Sequence, residues 1–166
     1  IRKLTNMNGA YIAEMDPADF RAQIAPFIAK LCPEGVGSPI LGKVADLMHS
    51  RTKTFADVAH WNYFFRKADE LEYDPKGLKK LLGDDTVRKA VAEFGEKVKT
   101  LPSLTVQAID DLIHSIEAEN GIQQDKLKQP LRIASTGSTI GAGICETIEL
   151  LGAEESAVRI ARALSL

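Results

Sequence analysis

Long apolar runs are missing from this sequence. No stretch approaches the roughly 20 consecutive apolar residues that a membrane-spanning helix needs, and the N-terminus lacks the basic-then-apolar pattern of a signal peptide. A soluble, cytoplasmic protein that does not engage membranes is expected. Cysteine is scarce: Cys32 and Cys145 stand alone, without C-x-x-C spacing, so neither a disulfide framework nor a thiolate metal site is suggested, and a reducing compartment fits. Charge of one sign is lacking too. With 21 Lys and Arg against 23 Asp and Glu and a pI near 6.0, the chain is no strongly basic nucleic-acid binder, and any basic footprint must be local. Sustained two-residue alternation of apolar side chains is hard to find, which leaves little room for strands.

What is present is a 166-residue chain that is 45% hydrophobic, enough for one or two packed units without disulfides or metals as staples. It opens on Ile1 and runs directly into Arg2-Lys3-Leu4 without a capping signal, so a piece of a longer protein is expected.

Apolar residues recur at three- and four-residue spacing almost throughout, and the chain reads as all-α. A helix is predicted over about Leu4–Glu14. Asp16-Pro17 then supplies an N-cap and a first-turn proline for a helix with Phe20, Ile24, Phe27, Ile28 and Leu31 on one face and a kink at Pro26. After the Cys32-Pro33-Glu34-Gly35 linker, Ser38-Pro39 opens a third helix that stops near Arg51. Thr54 with Asp57 three residues on forms a weak capping box leading into Trp61-Asn62-Tyr63-Phe64-Phe65. These rings could stack bases, but such platforms pair rings with a basic surface, and a core cluster is the favoured reading.

Tyr73-Asp74-Pro75 marks the expected boundary between two consecutive helical-bundle domains, 1–73 and 74–166. Beyond it a short helix carries Lys76, Lys79 and Lys80, either phosphate contacts or a solvated face. Asp84 caps a helix through Val98, and Leu101-Pro102-Ser103 closes it and starts another. Along that one Val106, Ile109, Leu112, Ile113 and Ile116 form the buried stripe. Its acids, Asp110, Asp111, Glu117 and Glu119, point outward and away from any RNA. A helix over Asp125–Ala134, a glycine-rich loop from Ser135 to Gly143, and two helices split at Gly152 complete the chain, the last with Val158, Ala161 and Leu164 inward.

Few residues invite catalysis. His49, His60 and His114 lack the i,i+4 spacing of a helical metal site, and neither cysteine has a basic sequence neighbour to lower its pKa. The loop Gly137 to Gly143 is neither G-x-G-x-x-G nor a P-loop, and no strand precedes it. Spacing alone favours a flexible turn whose glycines permit positive φ.

Two longer segments are more specific. Lys3-Leu4-Thr5-Asn6-Met7-Asn8-Gly9-Ala10-Tyr11-Ile12 and, far downstream, Gln129-Pro130-Leu131-Arg132-Ile133-Ala134-Ser135-Thr136-Gly137, followed by Leu150-Leu151-Gly152, resemble the C-terminal half of a bacterial class I glutamyl-tRNA synthetase across essentially the whole chain. The H-I-G-H-like and K-M-S-K-S-like motifs of that class are absent. The resemblance thus implies the anticodon-binding half of a glutamate–tRNA ligase, inactive by itself, with no cofactor of its own, and with ATP and Mg bound in the full-length enzyme. The implied partners are tRNA(Glu) and the protein's own N-terminal catalytic domain, with no DNA, in a monomer. A helical protein-interaction or regulatory module derived from a synthetase is the alternative.

Residue by residue, the resemblance implies that Arg51 reads the third anticodon base, and that Gln129 and Arg132 meet the anticodon loop. It also implies that Gly141 to Ile144 pack on the first two bases. Where the family more often has Ser or Thr followed by Pro, this chain has Gly141-Ala142, so contacts there fall to backbone groups. Taken without the resemblance, Arg51 is a surface charge favourable to a helix C-terminus.

Overall fold

The computed structural model describes residues 2–166, and among these there are α-helices and short 3-10 helices but no strand, an all-α fold. The chain divides into two compact units, residues 1–66 and 67–166.

The first unit holds α1 (Arg2–Glu14), α2 (Pro17–Leu31) and α3 (Leu41–His49), followed by 3-10 turns Phe55–His60 and Asn62–Phe64. Asp16 caps α2 by accepting the Ala18 N–H at 2.8 Å, as its place before Pro17 predicts. α2 continues through Pro26 and buries Phe20, Ile24 and Ile28. The aromatic run is core: Trp61, Tyr63 and Phe64 are buried, which removes them as a stacking platform. His49 is also structural. Its ring stacks on Phe20 with centroids 4.2 Å apart, and Nε2 donates to the Ile12 carbonyl at 2.6 Å.

The second unit holds α4 (Pro75–Leu81), α5 (Asp85–Lys97), α6 (Val106–Glu119), α7 (Lys128–Thr136), α8 (Ile144–Leu151) and α9 (Ala153–Ser165). Ile109, Ile113 and Ile116 on α6 meet Val91 and Phe94 on α5, Leu131 and Ile133 on α7 and Ile148 on α8 in one core. Each such fully buried side chain contributes roughly 2 kcal/mol.

Four expectations are corrected here. The units divide after Arg66, not after Tyr73, because 67–73 belongs to the second core: Arg162 donates to the Ala68 carbonyl at 2.7 Å, and the Tyr73 hydroxyl lies 3.2 Å from the carbonyls of Ala134 and Arg159. Helix α6 starts after Thr105, whose hydroxyl accepts the Ala108 N–H, rather than at Pro102-Ser103. Glu117 is buried, and its carboxylate accepts the N–H groups of Asp125 and Leu127 at 3.0 and 2.8 Å. Finally, α9 turns Ser156, Arg159, Ile160 and Ala163 inward and leaves Val158 53% exposed. A buried arginine sits in that register because Glu155 and the Ser135 carbonyl satisfy its guanidinium at 2.8 and 3.1 Å.

Candidate nucleic-acid interface

Arg51 lies just past α3, where its Nη1 donates to the Leu47 carbonyl at 3.0 Å, the helix-terminus role that a surface charge would have. One bond leaves most of its five donors uncommitted. The side chain is exposed and lines a cleft of about 370 Å³ with Asn6, Gly9, Ser50 and Lys53. The backbone beneath it is held at several points. Thr52, buried, donates to the Met48 carbonyl at 2.7 Å. The Lys53 N–H donates to Asp57 Oδ2 at 2.8 Å, and the Lys53 carbonyl accepts from the Asn8 side chain at 2.7 Å.

Asp57 completes the box predicted from its spacing, accepting the Thr54 N–H and hydroxyl at 3.1 and 2.7 Å. Burial works against its charge, but the hydrogen bonds from Thr54 and Lys53 outweigh it and hold the carboxyl below the usual range. Asn8 and Gly9 therefore have a local function that sequence reasoning missed: the first clamps the Arg51 segment, and the second admits the Lys53 side chain beside α1. The asparagine's polar side chain on a helix surface was the available signal.

In the second unit the residues implied by resemblance separate by burial. Gln129 is exposed at the start of α7 and lines a cleft of about 430 Å³ with Asp74, Lys76, Gly77, Lys80 and Thr139. Arg132 is half-buried, and its Nη1 donates to the Ala142 carbonyl, so the guanidinium braces the glycine loop from behind. Gly141 is exposed on that loop. Ile144, the first residue of α8, is only 3% exposed and its side chain serves the core.

The loop is more tightly built than a flexible turn. Thr136 Oγ1 donates to the Arg132 carbonyl at 2.7 Å and accepts the Ser138 N–H at 3.2 Å, and Ser138 Oγ accepts the Ile140 N–H at 3.2 Å. Gly137 ends α7 with φ +78°, the positive value its spacing predicts, and a Cβ there would collide with the Glu72 carbonyl oxygen. Ile140, at 75% exposure, projects an apolar side chain next to Gly141.

Other chemistry is poorly supported by the geometry. Asp110, His114 and Asp125 converge, but the Lys128 ammonium lies 2.7 Å from each carboxylate and already supplies the cation. Burial pushes the Cys32 and Cys145 thiols up to about 11, so neither is a thiolate nucleophile at neutral pH.

The family model described as the anticodon binding domain matches residues 19–164. Glutamate–tRNA ligase 2 of Rubrobacter xylanophilus is 31% identical over 169 residues, covering 98% of this chain and 34% of the ligase. The glutamate–tRNA ligase of Citrifermentans bemidjiense is 32% identical, covering 98% and 35%. This chain thus spans about a third of the length of the curated relatives it matches. A glutamate tRNA ligase from Elizabethkingia meningosepticum, solved in complex with its amino acid, shares the fold with a TM-score of 0.79 at 22% identity, over 97% of this chain and 31% of that one. By the match over 146 of its residues (19–164), the chain belongs to the anticodon-binding domain family.

Proposed function

We propose that the chain recognises the anticodon loop of tRNA(Glu) and positions it for aminoacylation by a glutamate–tRNA ligase whose catalytic part precedes these residues. The observation that carries this reading is Arg51, an exposed guanidinium in a cleft whose floor is clamped from α1 and from the Thr54–Asp57 box. A planar fork on a fixed backbone suits the reading of one base edge, whereas a mobile surface charge would suit only phosphate. Gln129, the backbone at Gly141 to Ile144 and the braced loop behind them would meet the remaining bases. Single-stranded loops splay their bases for such contacts. ATP and Mg act in the catalytic part, and the whole protein works as a cytoplasmic monomer.

Filter binding of the chain to tRNA(Glu) and to an unrelated tRNA at two salt concentrations tests this. Preference for tRNA(Glu) that persists at the higher salt is expected. Equal, feeble binding of both would sink the reading and leave a protein-interaction module in its place. Pyrophosphate exchange with glutamate, ATP and tRNA should stay at background, because the sequence carries neither the H-I-G-H-like nor the K-M-S-K-S-like motif of class I synthetases.

A further inference from the structure

Residues 67–166 contain 13 Lys and Arg against 17 Asp and Glu, a formal −4, so a polyanion can approach the second unit only where cations are concentrated and unneutralised. Most of its cations are occupied. Lys97, Lys99 and Lys128 each lie within 3.0 Å of a carboxylate. Arg88, Arg159 and Arg162 donate to main-chain carbonyls, as Arg132 does in the loop. On α4, by contrast, the exposed ammonium groups of Lys76, Lys79 and Lys80 have no hydrogen-bond or ion-pair partner among the described residues.

Lys76 and Lys80, four residues apart on one side of α4, line the same cleft as Gln129 and Thr139, whereas Lys79 does not. Gly77 between them brings α4 against the glycine loop: a Cβ there would meet Thr139 Cγ2 at 2.9 Å and Ile133 Cδ1 at 3.1 Å. The cleft also holds one acid, Asp74, whose Oδ1 accepts the Lys76 N–H at 3.1 Å, so the formal charge of the cleft is +1. The result is a concave site of about 430 Å³, within the range of small-ligand pockets, with two unpaired cations on one wall and an exposed amide on the other.

We infer that this cleft holds one nucleotide of a single-stranded RNA loop, with Lys76 and Lys80 on its flanking phosphates and the Gln129 amide on the edge of its base. An amide offers both donor and acceptor, so it can pair with a base edge, and ammonium groups suit phosphate as point charges. The inference rests on the anticodon-loop reading and adds to it helix α4, to which no part of the resemblance assigns a role.

The test is anisotropy of labelled tRNA(Glu) titrated with the wild-type chain and its variants over a salt series. For the double variant Lys76→Ala/Lys80→Ala the salt slope should fall by about 1.4, two single-strand phosphate contacts at about 0.7 each, and affinity at about 0.1 M salt should fall about 25-fold. Gln129→Ala should weaken binding with the slope unchanged, and Lys79→Ala should leave both nearly as they were. Thermal melting should move little, since these exposed ammonium groups have no hydrogen-bond or ion-pair partner among the described residues. Wild-type binding that the double variant retains in affinity and slope overturns the cleft assignment alone, as does an equal loss with Lys79→Ala. Failure of the wild-type chain to bind any tRNA overturns the anticodon-loop reading, and the cleft with it.

Discussion

The side-chain amide of Asn8 donates a 2.7 Å hydrogen bond to the main-chain carbonyl of Lys53, joining α1 to the segment that carries Arg51. Asn8→Asp would set an acceptor against that acceptor. Because the bond is exposed, the first unit should lose about 1 kcal/mol, read as a lower urea midpoint with an unchanged m-value. Preference for tRNA(Glu) should decline as well. An unchanged midpoint would mean that the contact carries no weight.

Arg51→Gln addresses specificity. The third anticodon letter is C in tRNA(Glu) and G in tRNA(Gln). A guanidinium can donate to the O2 and N3 acceptors of C, but it meets the N1–H and N2 donors of G donor to donor. Glutamine offers both donor and acceptor, so rejection of tRNA(Gln) should relax by roughly 1–3 kcal/mol, the scale of one bidentate base contact. Binding of both tRNAs to wild type and variant reads it, and an unchanged affinity ratio leaves Arg51 as a helix-end charge.

Arg132 donates to the Ala142 carbonyl, so its removal should loosen the loop rather than remove a phosphate contact. Arg132→Ala is expected to weaken tRNA(Glu) more than an unrelated tRNA, to speed amide exchange across 138–143, and to leave the salt slope unchanged. A slope reduced by about 0.7 would mark it as a single-strand phosphate ligand instead.

The buried Glu117 carboxylate holds the N–H groups of Asp125 and Leu127. Glu117→Ala strands both donors, and a loss of about 2–3 kcal/mol is expected in chemical denaturation, with Glu117→Gln milder because one acceptor oxygen remains. Equal losses for the two variants would show that packing, not hydrogen bonding, dominates there.

His114 gives the second unit a pH response. The hydrogen bond from its ring to Asp125 at 3.0 Å, aided by the charge of Asp110, raises its pKa above the ordinary 6.5. A raised folded-state value means that the stability it adds is complete below the ordinary value and is lost as pH rises through the raised one. The melting temperature should therefore fall across that window in wild type and fall less in His114→Gln.

Local chemistry made much of this fold legible. Asp16 before Pro17, Asp84 before α5 and Thr54 with Asp57 are caps whose partners lie within three residues, and each forms as spacing predicts. The misreadings involve partners distant in sequence. Glu117 looked like a solvated acid because the amides it accepts from come after the helix ends. The inward face of α9 was misjudged because counting apolar side chains cannot foresee an arginine buried against a carbonyl 24 residues away. Likewise the family pattern singled out Gln129, Arg132 and Ile144 together, but only burial separates an exposed amide from a brace and a core residue.

The joint at Gly137 has a consequence for mutational scanning. Residues 72–74 seat the glycine loop largely through main-chain atoms: the Glu72 carbonyl fills the space where a Gly137 Cβ would be, and the Asp74 N–H donates to the Gly137 carbonyl at 2.9 Å. Alanine at position 72 leaves that carbonyl in place, so side-chain truncation is blind to this part of the seat. A side chain that is added reports on it instead: a methyl group at position 137, where φ is +78° and the Glu72 carbonyl oxygen stands in its way.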